Sequence, residues 1–444
     1  MRVLVAVAAT EGSAYGVSIW LDSLTGEEIH RDPAGEFDLA NLDGPLGDLL
    51  VRVETETLER GDVKSLGCHL FDLLLGQQVW ERIKDVAKAR GDQVIELALS
   101  WDSDLYDLHS LSWEAMHDGE DFLGVHSEFS VAVTRVVADA PRCPCPPSVL
   151  APARVLFVVG ADLDDPDIRP GAEVMGLLRD VERGQGAVNA AIIDNASLRR
   201  FEEKCRHFNP HIVHFVSHGE LDGSGRGALA LKHDDFDESE LVVGERLMRA
   251  MRTAEELPLL VVLTGCDSAA AGEHMDSLAS EMVREGIYTA IGMAGKVSDP
   301  VCRLFSRKFG HAINTGAPLV DAMTHGRRAG LQRQEERAAD DHAWALPSIY
   351  LAPNVPTGYA PVNAVNTVAT FARVKQYGLT SDPVFCGRRE LTNLFDRVLD
   401  RGAPLEVLIA YTKDREKLGK TRLLHEFAGR ALRAGHVVDR RPLP

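Results

Sequence analysis

Two residues have the chemical types and the setting for nucleophilic attack on a carbonyl, His218 and Cys266. A thiol reacts well only as thiolate, and an imidazole beside it takes the proton and later returns it to a leaving amine. His218 ends the run His211-Ile212-Val213-His214-Phe215-Val216-Ser217-His218-Gly219, and Cys266 ends Leu259-Leu260-Val261-Val262-Leu263-Thr264-Gly265-Cys266. Both runs are short, apolar and β-branched, so each reads as a buried strand with one reactive side chain at its carboxyl end. A cysteine nucleophile whose histidine lies roughly 50 residues upstream is one arrangement such pairs take. Here the separation is 48 residues (266 − 218). Gly219 would let a substrate backbone approach, and the amides of Gly219 and Cys266 could face a developing oxyanion.

The same residues have plainer readings. Free cysteine is among the most buried residue types, and a His-Gly pair after a strand also makes a turn, so a structural thiol is the alternative. A zinc site built from Cys205, His211, His214 and His218 fails on geometry, because His214 and His218 lie ~13 Å apart along an extended strand; no metal is expected. Acidic groups crowd both strand ends: Glu220 and Asp222 after the histidine, Asp267 after the cysteine. A buried carboxylate there could pair with a Lys or Arg of a substrate. Loop and helix N-cap roles are the preferred reading, with Asp267 and Ser268 opening a helix.

Such strand ends need a scaffold. From Ala153 onward strands alternate with helices: strands near 155–160, 187–193, 289–293 and 348–351 join the two runs above, with helices near 171–183, 197–208, 244–255, 277–285, 301–314 and 319–329. That alternation implies an α/β fold, a mostly parallel sheet with helices on both faces, whose ligands bind at the carboxyl ends of strands. The front of the chain mixes strands, near 3–8, 17–21 and 94–99, with a helical pattern over 66–89, and Trp113 reads as a core anchor. Four prolines within 141–147 interrupt any helix or central strand. The expected organisation is an N-terminal α+β subdomain over 1–139, a Pro/Cys linker over 140–152, a core over 153–353, a linker over 354–383 and a C-terminal segment over 384–444.

Composition narrows the class. The chain has 48 Lys+Arg against 67 Asp+Glu, a net charge of −19, which argues against a nucleic-acid partner held by phosphate neutralisation and suits a basic peptide better. No apolar run reaches the ~20 residues needed to span a bilayer, and the start reads as a first strand, so membrane insertion is not expected. Seven scattered cysteines fit reduced thiols in a cytoplasmic protein. Cys143 and Cys145 read as linker thiols, and His325-Gly326-Arg327-Arg328 as a solvated helix end.

His214-Phe215-Val216-Ser217-His218-Gly219, Leu263-Thr264-Gly265-Cys266-Asp267-Ser268-Ala269 and Ala317-Pro318-Leu319-Val320-Asp321-Ala322-Met323 resemble the CHAT family of caspase-like cysteine proteases. The front segment Leu111-Ser112-Trp113-Glu114-Ala115-Met116, with Phe122-Leu123 and Val131-Ala132-Val133-Thr134-Arg135, is similar to what precedes the core in that family; the resemblance spans about 50–353. It implies a caspase-hemoglobinase fold and peptide cleavage, with His218 as base, Cys266 as nucleophile and no cofactor. The caspase signature around the nucleophile is absent, so preference for Asp does not carry over, and Gly265 stands where family members often carry alanine.

Further on, Phe385-Cys386-Gly387-Arg388-Arg389-Glu390-Leu391 and Gly419-Lys420-Thr421 resemble the entry motif and the end of the phosphate-binding loop of STAND and AAA-type ATPases. There Lys420 would reach terminal phosphates and Thr421 would hold magnesium. The pattern requires a glycine at 414 and finds Asp414, and only 23 residues follow Thr421, so the segment reads as an ATPase start, degenerate or cut short, with ATP and magnesium at most weakly bound. The combined reading is a caspase-like endopeptidase that cuts a partner protein, gasdermin-like or toxin-like, in a regulated bacterial defence or programmed-death system, with an activator acting through the sensor segment. The alternative is an inactive CHAT-fold signalling scaffold.

Overall fold

A computed structural model describes residues 1–363 apart from 11–13, 22–26, 30–35, 39–44, 55–57, 60, 142–145, 151–152, 163–164, 167, 184–187, 237, 266–267, 269–276, 296–298 and 336–341, and beyond these 391, 394–395 and 420–433. The front segment begins with strands β1 (Arg2–Ala9) and β2 (Ala14–Leu21), which form an antiparallel pair. The short strands β3 (Glu27–Ile29) and β4 (Glu36–Asp38) extend β2. Helices α1 (Pro45–Glu54), α2 (Asp62–Leu74) and α3 (Gly76–Arg90) follow, then β5 (Val94–Trp101), α4 (Tyr106–Ser110) and β6 (Ser130–Val137). The periodicity predicts one helix over 66–89. There are two, because Gly76 takes φ +68°, a left-handed conformation that interrupts the helix where a glycine allows it.

After the two-residue strand β7 (Val149–Leu150) the chain alternates: β8 (Ala153–Val159), α5 (Pro170–Arg183), β9 (Val188–Ile193), α6 (Leu198–Phe208) and β10 (Ile212–Val216). Ser197 caps α6 through its hydroxyl, as its side-chain type predicts. A small antiparallel sheet then appears that the sequence patterns do not announce, β11 (Gly219–Leu221), β12 (Gly227–Lys232) and β13 (Ser239–Val243). The alternation resumes with α7 (Gly244–Met251), β14 (Leu260–Leu263), α8 (Leu278–Arg284), β15 (Thr289–Met293), α9 (Asp299–Asn314), α10 (Leu319–Glu335) and β16 (Pro347–Leu351). Strand β17 (Val362–Asn363) pairs with β7, and α11 (Lys420–Arg433) lies in the C-terminal segment.

Twelve strands make one sheet in the order β3-β2-β1-β5-β6-β16-β15-β14-β10-β8-β9, with β4 beside β2. Strands β1 to β16 along this order run parallel to one another, as do β15 to β9, and the two sets meet antiparallel at β15/β16. The expected α/β class with a mostly parallel sheet is therefore the observed one. Right-handed crossovers place α5, between β8 and β9, on one face, and α6, α7 and α8, whose connections run back across the sheet, on the other. Helices α9 and α10 join α5 on its face. The front segment and the regular core share this sheet through the pairing of β6 with β16.

A buried ion pair fastens that joint. Arg135 on β6 donates Nε and Nη2 to the two carboxylate oxygens of Glu114 at 3.0 and 2.7 Å, and its remaining donors reach the carbonyls of His109 and Leu111. Both side chains are almost wholly buried, and breaking such a satisfied pair from one side costs about 3–5 kcal/mol. Trp113, beside Glu114, is fully buried and donates Nε1 to the Leu108 carbonyl. The solvated helix end expected at 325–328 is in fact mid-helix in α10. Gly326 packs on the Phe305 ring, and Arg327 is fully buried, donating to the Pro347 carbonyl at 2.8 Å, with burial pulling its pKa down to about 10.

Two histidines, His109 buried and His211 half-buried, make the fold sensitive to acid. His211 accepts the Arg154 amide on Nδ1 where β10 starts, and burial, then Arg154, lowers its pKa to about 3; burial, then Arg135, does the same to His109. The unfolded chain protonates these rings near pH 6.5 and the folded chain only near 3, so the stability they contribute is complete above 6.5 and is lost as the pH falls toward 3. Urea titrations across that window should show stability falling by up to about 1.4 kcal/mol per pH unit for each histidine. His211→Asn and His109→Phe should each flatten the slope by about one proton; slopes unchanged by both would refute the assignment.

Candidate functional site

Strands β8, β10 and β14 lie side by side in parallel register, and Phe215 of β10 is paired with Leu263 of β14. His218 stands three residues beyond Phe215 (218 − 215), and Cys266 three beyond Leu263 (266 − 263). The two chains therefore leave the sheet level with each other. Thr264 ties them at that level, its amide and its hydroxyl both donating to the Phe215 carbonyl, at 3.1 and 2.7 Å.

Gly265 then runs against the backbone that carries His218. A Cβ at 265 would stand 3.0 Å from the Gly219 nitrogen, 3.1 Å from the Ser217 carbonyl oxygen and 3.0 Å from Leu229 Cδ2. An alanine there would require each neighbour to give by a few tenths of an ångström, which accounts for the glycine in physical terms. On the other side of β10, Gly160 makes a closer approach. A Cβ there would collide with the Ala230 carbonyl and with Ser217 Cβ.

Cys266 and Asp267 lie outside the described residues. The chain is fixed on either side of them, at Gly265 and at Ser268. The helix expected to open at Asp267 and Ser268 falls on residues outside those described, and Ser268 itself is held by its side chain. Its hydroxyl donates to the Leu263 carbonyl at 3.2 Å and accepts the Met293 amide at 2.9 Å, joining the ends of β14 and β15.

His218 is 41% exposed and has a partner that sequence reasoning missed. Its Nε2 lies 3.0 Å from Oδ2 of Asp165, which is 18% exposed, in the connection from β8 to α5. The Asp165 carbonyl accepts the Arg169 amide, so the turn that leads into α5 sets the carboxylate's position. With Nε2 engaged, Nδ1 is the ring nitrogen left for proton exchange with a thiol. The only sequence signal was a run of aspartates, 162, 164, 165 and 167, in which no spacing singles out one residue. His214 has its own carboxylate. Its Nε2 lies 3.0 Å from Glu173 Oε1 in a pair that is almost fully buried. The two histidines thus face different carboxylates, and no group of metal ligands occurs among the described residues.

The acids after the histidine separate into two kinds. Asp222 is spent within its own turn, accepting from the Ser224 amide and hydroxyl and from the Arg226 amide and guanidinium at 2.6 to 3.0 Å, which holds its carboxyl well below the usual range. It is not offered to a substrate. Glu220 is exposed on β11. Gly219 begins β11, and the Ala230 amide donates to the His218 carbonyl, so the alternation of the antiparallel ladder turns the Gly219 N–H away from β12. The Gly219 nitrogen lies on the Gly265 side, 3.0 Å from where a Cβ at 265 would stand.

In the C-terminal segment, Lys420 and Thr421 open α11, and Gly419 lies outside the described residues, as does the expected loop before it. No helix among the described residues is long and apolar enough to cross a membrane.

The family model for the CHAT domain matches residues 64–353. Among solved structures, the Saccharomyces cerevisiae separase-securin complex is similar at 16% identity and a TM-score of 0.38, over 62% of this chain and 17% of that one. The Arg-specific cysteine proteinase gingipain R is similar at 9% identity and a TM-score of 0.39, over 62% of this chain and 67% of that one. The complex of Porphyromonas gingivalis RgpB pro- and mature domains is similar at 9% identity and 0.38, over 66% and 72%. No curated protein matches.

The geometry makes two substitutions informative. Gly265→Val should force the strand ends apart, costing about 1–3 kcal/mol of stability and slowing alkylation of Cys266 by iodoacetamide. Asp165→Asn should leave the unfolding midpoint near that of the parent while shifting the pH profile of that alkylation. A profile identical to the parent's would mean that Asp165 does not act on His218.

Proposed function

We propose that this chain, which belongs to the CHAT domain family, is a cysteine endopeptidase with Cys266 as nucleophile and His218 as base. The observation that carries the reading is the level ending of β10 and β14, with Gly265 packed against Ser217–Gly219 and His218 already held by a carboxylate. In the reaction, the Cys266 proton passes to Nδ1 of His218 and the sulfur bonds to the scissile carbonyl carbon. The carbonyl oxygen takes the negative charge, and we assign the Gly219 N–H as the donor that meets it; one such donor is worth about 10²–10³ in rate. The amine leaves with the proton from His218, and water activated by the same ring cleaves the thioester. Asp165 acts as a positioning residue that holds the ring and stabilises its protonated form.

The proposed substrate is a partner protein. On the family resemblance we place the reaction in a regulated bacterial defence or programmed-death system, cutting a gasdermin-like or toxin-like protein once an activator engages the C-terminal segment. The rival reading is a scaffold in which Cys266 is an inert structural thiol.

Thiol reactivity separates the two. Cys205 and Cys302 are buried, and burial raises the thiol pKa of Cys205 and of Cys68. Peptide mapping after brief iodoacetamide treatment near neutral pH should find Cys266 labelled well ahead of these three, with the preference abolished by His218→Ala. Proteome-wide cleavage profiling of the parent against Cys266→Ala should then yield cuts that depend on Cys266. Slow, uniform labelling together with no such cuts would favour the scaffold.

A further inference from the structure

His214 sits inside β10 and His218 two residues beyond its end (218 − 216), and each ring meets a carboxylate from the same stretch of chain, Glu173 and Asp165. The inner pair is the more buried. Both its side chains are almost wholly out of solvent, and the Phe157 ring of β8 lies 5.4 Å from the His214 ring, centroid to centroid. A buried ion pair stabilises a fold little more than two well-packed apolar side chains of the same volume, so stability alone gives no reason for one here. What it adds is direction. Val174 and Leu177 press α5 into the core without fixing its place along β10, since apolar contact is non-directional. The 3.0 Å contact between Glu173 Oε1 and His214 Nε2 ties one residue of α5 to one residue of β10.

The place of Glu173 is passed on to Asp165 by hydrogen bonds. The Arg169 carbonyl accepts the Ala172 and Glu173 amides at 2.9 and 3.3 Å, and the Arg169 amide donates to the Asp165 carbonyl at 3.0 Å. The Ile168 amide donates to Asp165 Oδ1 at 3.3 Å, which leaves Oδ2 as the oxygen that meets His218. Arg169 itself has φ +41°, a left-handed conformation uncommon in a residue with a side chain, and the hydrogen bonds on both sides of it hold it there. From Asp165 to the first turn of α5 the chain is thus one hydrogen-bonded unit. It is anchored at one end on His214 and presents its other end to His218.

We propose that Glu173 and His214 are positioning residues for the reaction: their buried pair fixes α5 against β10 and, through the Arg169 turn, holds the Asp165 carboxylate at His218. The proposal rests on the peptidase reading for its purpose. Both residues act through Asp165 rather than on the reacting atoms, so their effect should fade once Asp165 is no longer a carboxylate. A direct effect of the Glu173 charge on His218 would instead add to that of Asp165.

The test uses the full chain carrying Cys266→Ala with isotope-labelled histidine, read by NMR near neutral pH. The two ring signals are assigned by their loss in His214→Gln and His218→Ala. Asp165→Asn should displace the His218 signal, Glu173→Gln should displace it too, and the chain carrying both should move it little further than Asp165→Asn alone. Glu96→Gln, which weakens an ion pair with Arg2 on β5, five strands from β10, should leave it in place. In chains that retain Cys266, Glu173→Gln should slow alkylation by iodoacetamide by about twofold or more, and again add little to Asp165→Asn. A circular dichroism melt checks that Glu173→Gln is folded; if it is not, Arg169→Val decides, since at an exposed position it strains the left-handed turn and leaves both carboxylates in the chain. That variant should displace the His218 signal and spare that of His214. A His218 signal unmoved by the deciding variant, displacements that simply add, or an equal displacement by Glu96→Gln would overturn the proposal. Absence of Cys266-dependent cleavage by the parent chain would instead count against the peptidase reading and leave the result from the ring signals standing.

Discussion

Everything near His218 depends on two backbones approaching more closely than side chains allow. The chain beyond β14 lies tight against the chain beyond β10 at Gly265, where a methyl group would press on Ser217, Gly219 and Leu229, and β8 ends against β12 at Gly160, where a methyl group would collide with the Ala230 carbonyl. In an interior packed to crystal density a methyl group at either place is accommodated only by moving its neighbours. The hydrogen bonds of Thr264 and Ser268 then hold the approach in register on both sides of Cys266. The sheet itself thereby fixes the spacing of the two strand ends.

A second dependence runs through α5 and the turn before it. Asp165 reaches His218 and Glu173 reaches His214, so one short stretch of chain contacts β10 both at its end and in its interior. The same helix meets α9 where Gly176 makes room for the stem of Arg307. A shift of α5 would therefore be felt at both imidazoles and along α9 together.

The strands that bear His218 and Cys266 were legible because buried parallel strands are written as short apolar runs, and their carboxyl ends are where such sheets bind ligands. Most helices were legible for the same reason of period, and where a boundary moved a backbone feature moved it, as at Gly76. The small sheet β11–β13 was not legible. Its strands are three to six residues long and mix charged with apolar positions, so neither period stands out. Asp165 was hidden among neighbouring aspartates, and the burial of Arg327 was hidden because its partner, the Pro347 carbonyl, is backbone and leaves no mark on side-chain identity. Sequence-local logic offered Asp222 both as a substrate carboxylate and, preferred, as a loop acid, and the hydrogen bonds within its own turn agree with the loop role.

The place of β16 in the sheet has a consequence for how the protein is made. Residues 347–351 lie between β6, more than two hundred residues earlier, and β15. During synthesis from the amino terminus, β6 leaves the ribosome with one edge unpaired and keeps it until β16 emerges. The last gap in the sheet closes only after the segments that carry His218 and Cys266 have been translated. A nascent or prematurely terminated chain would expose β6 to chaperones or to a second copy, and the late insertion of β16 makes its translation a checkpoint for assembling the sheet.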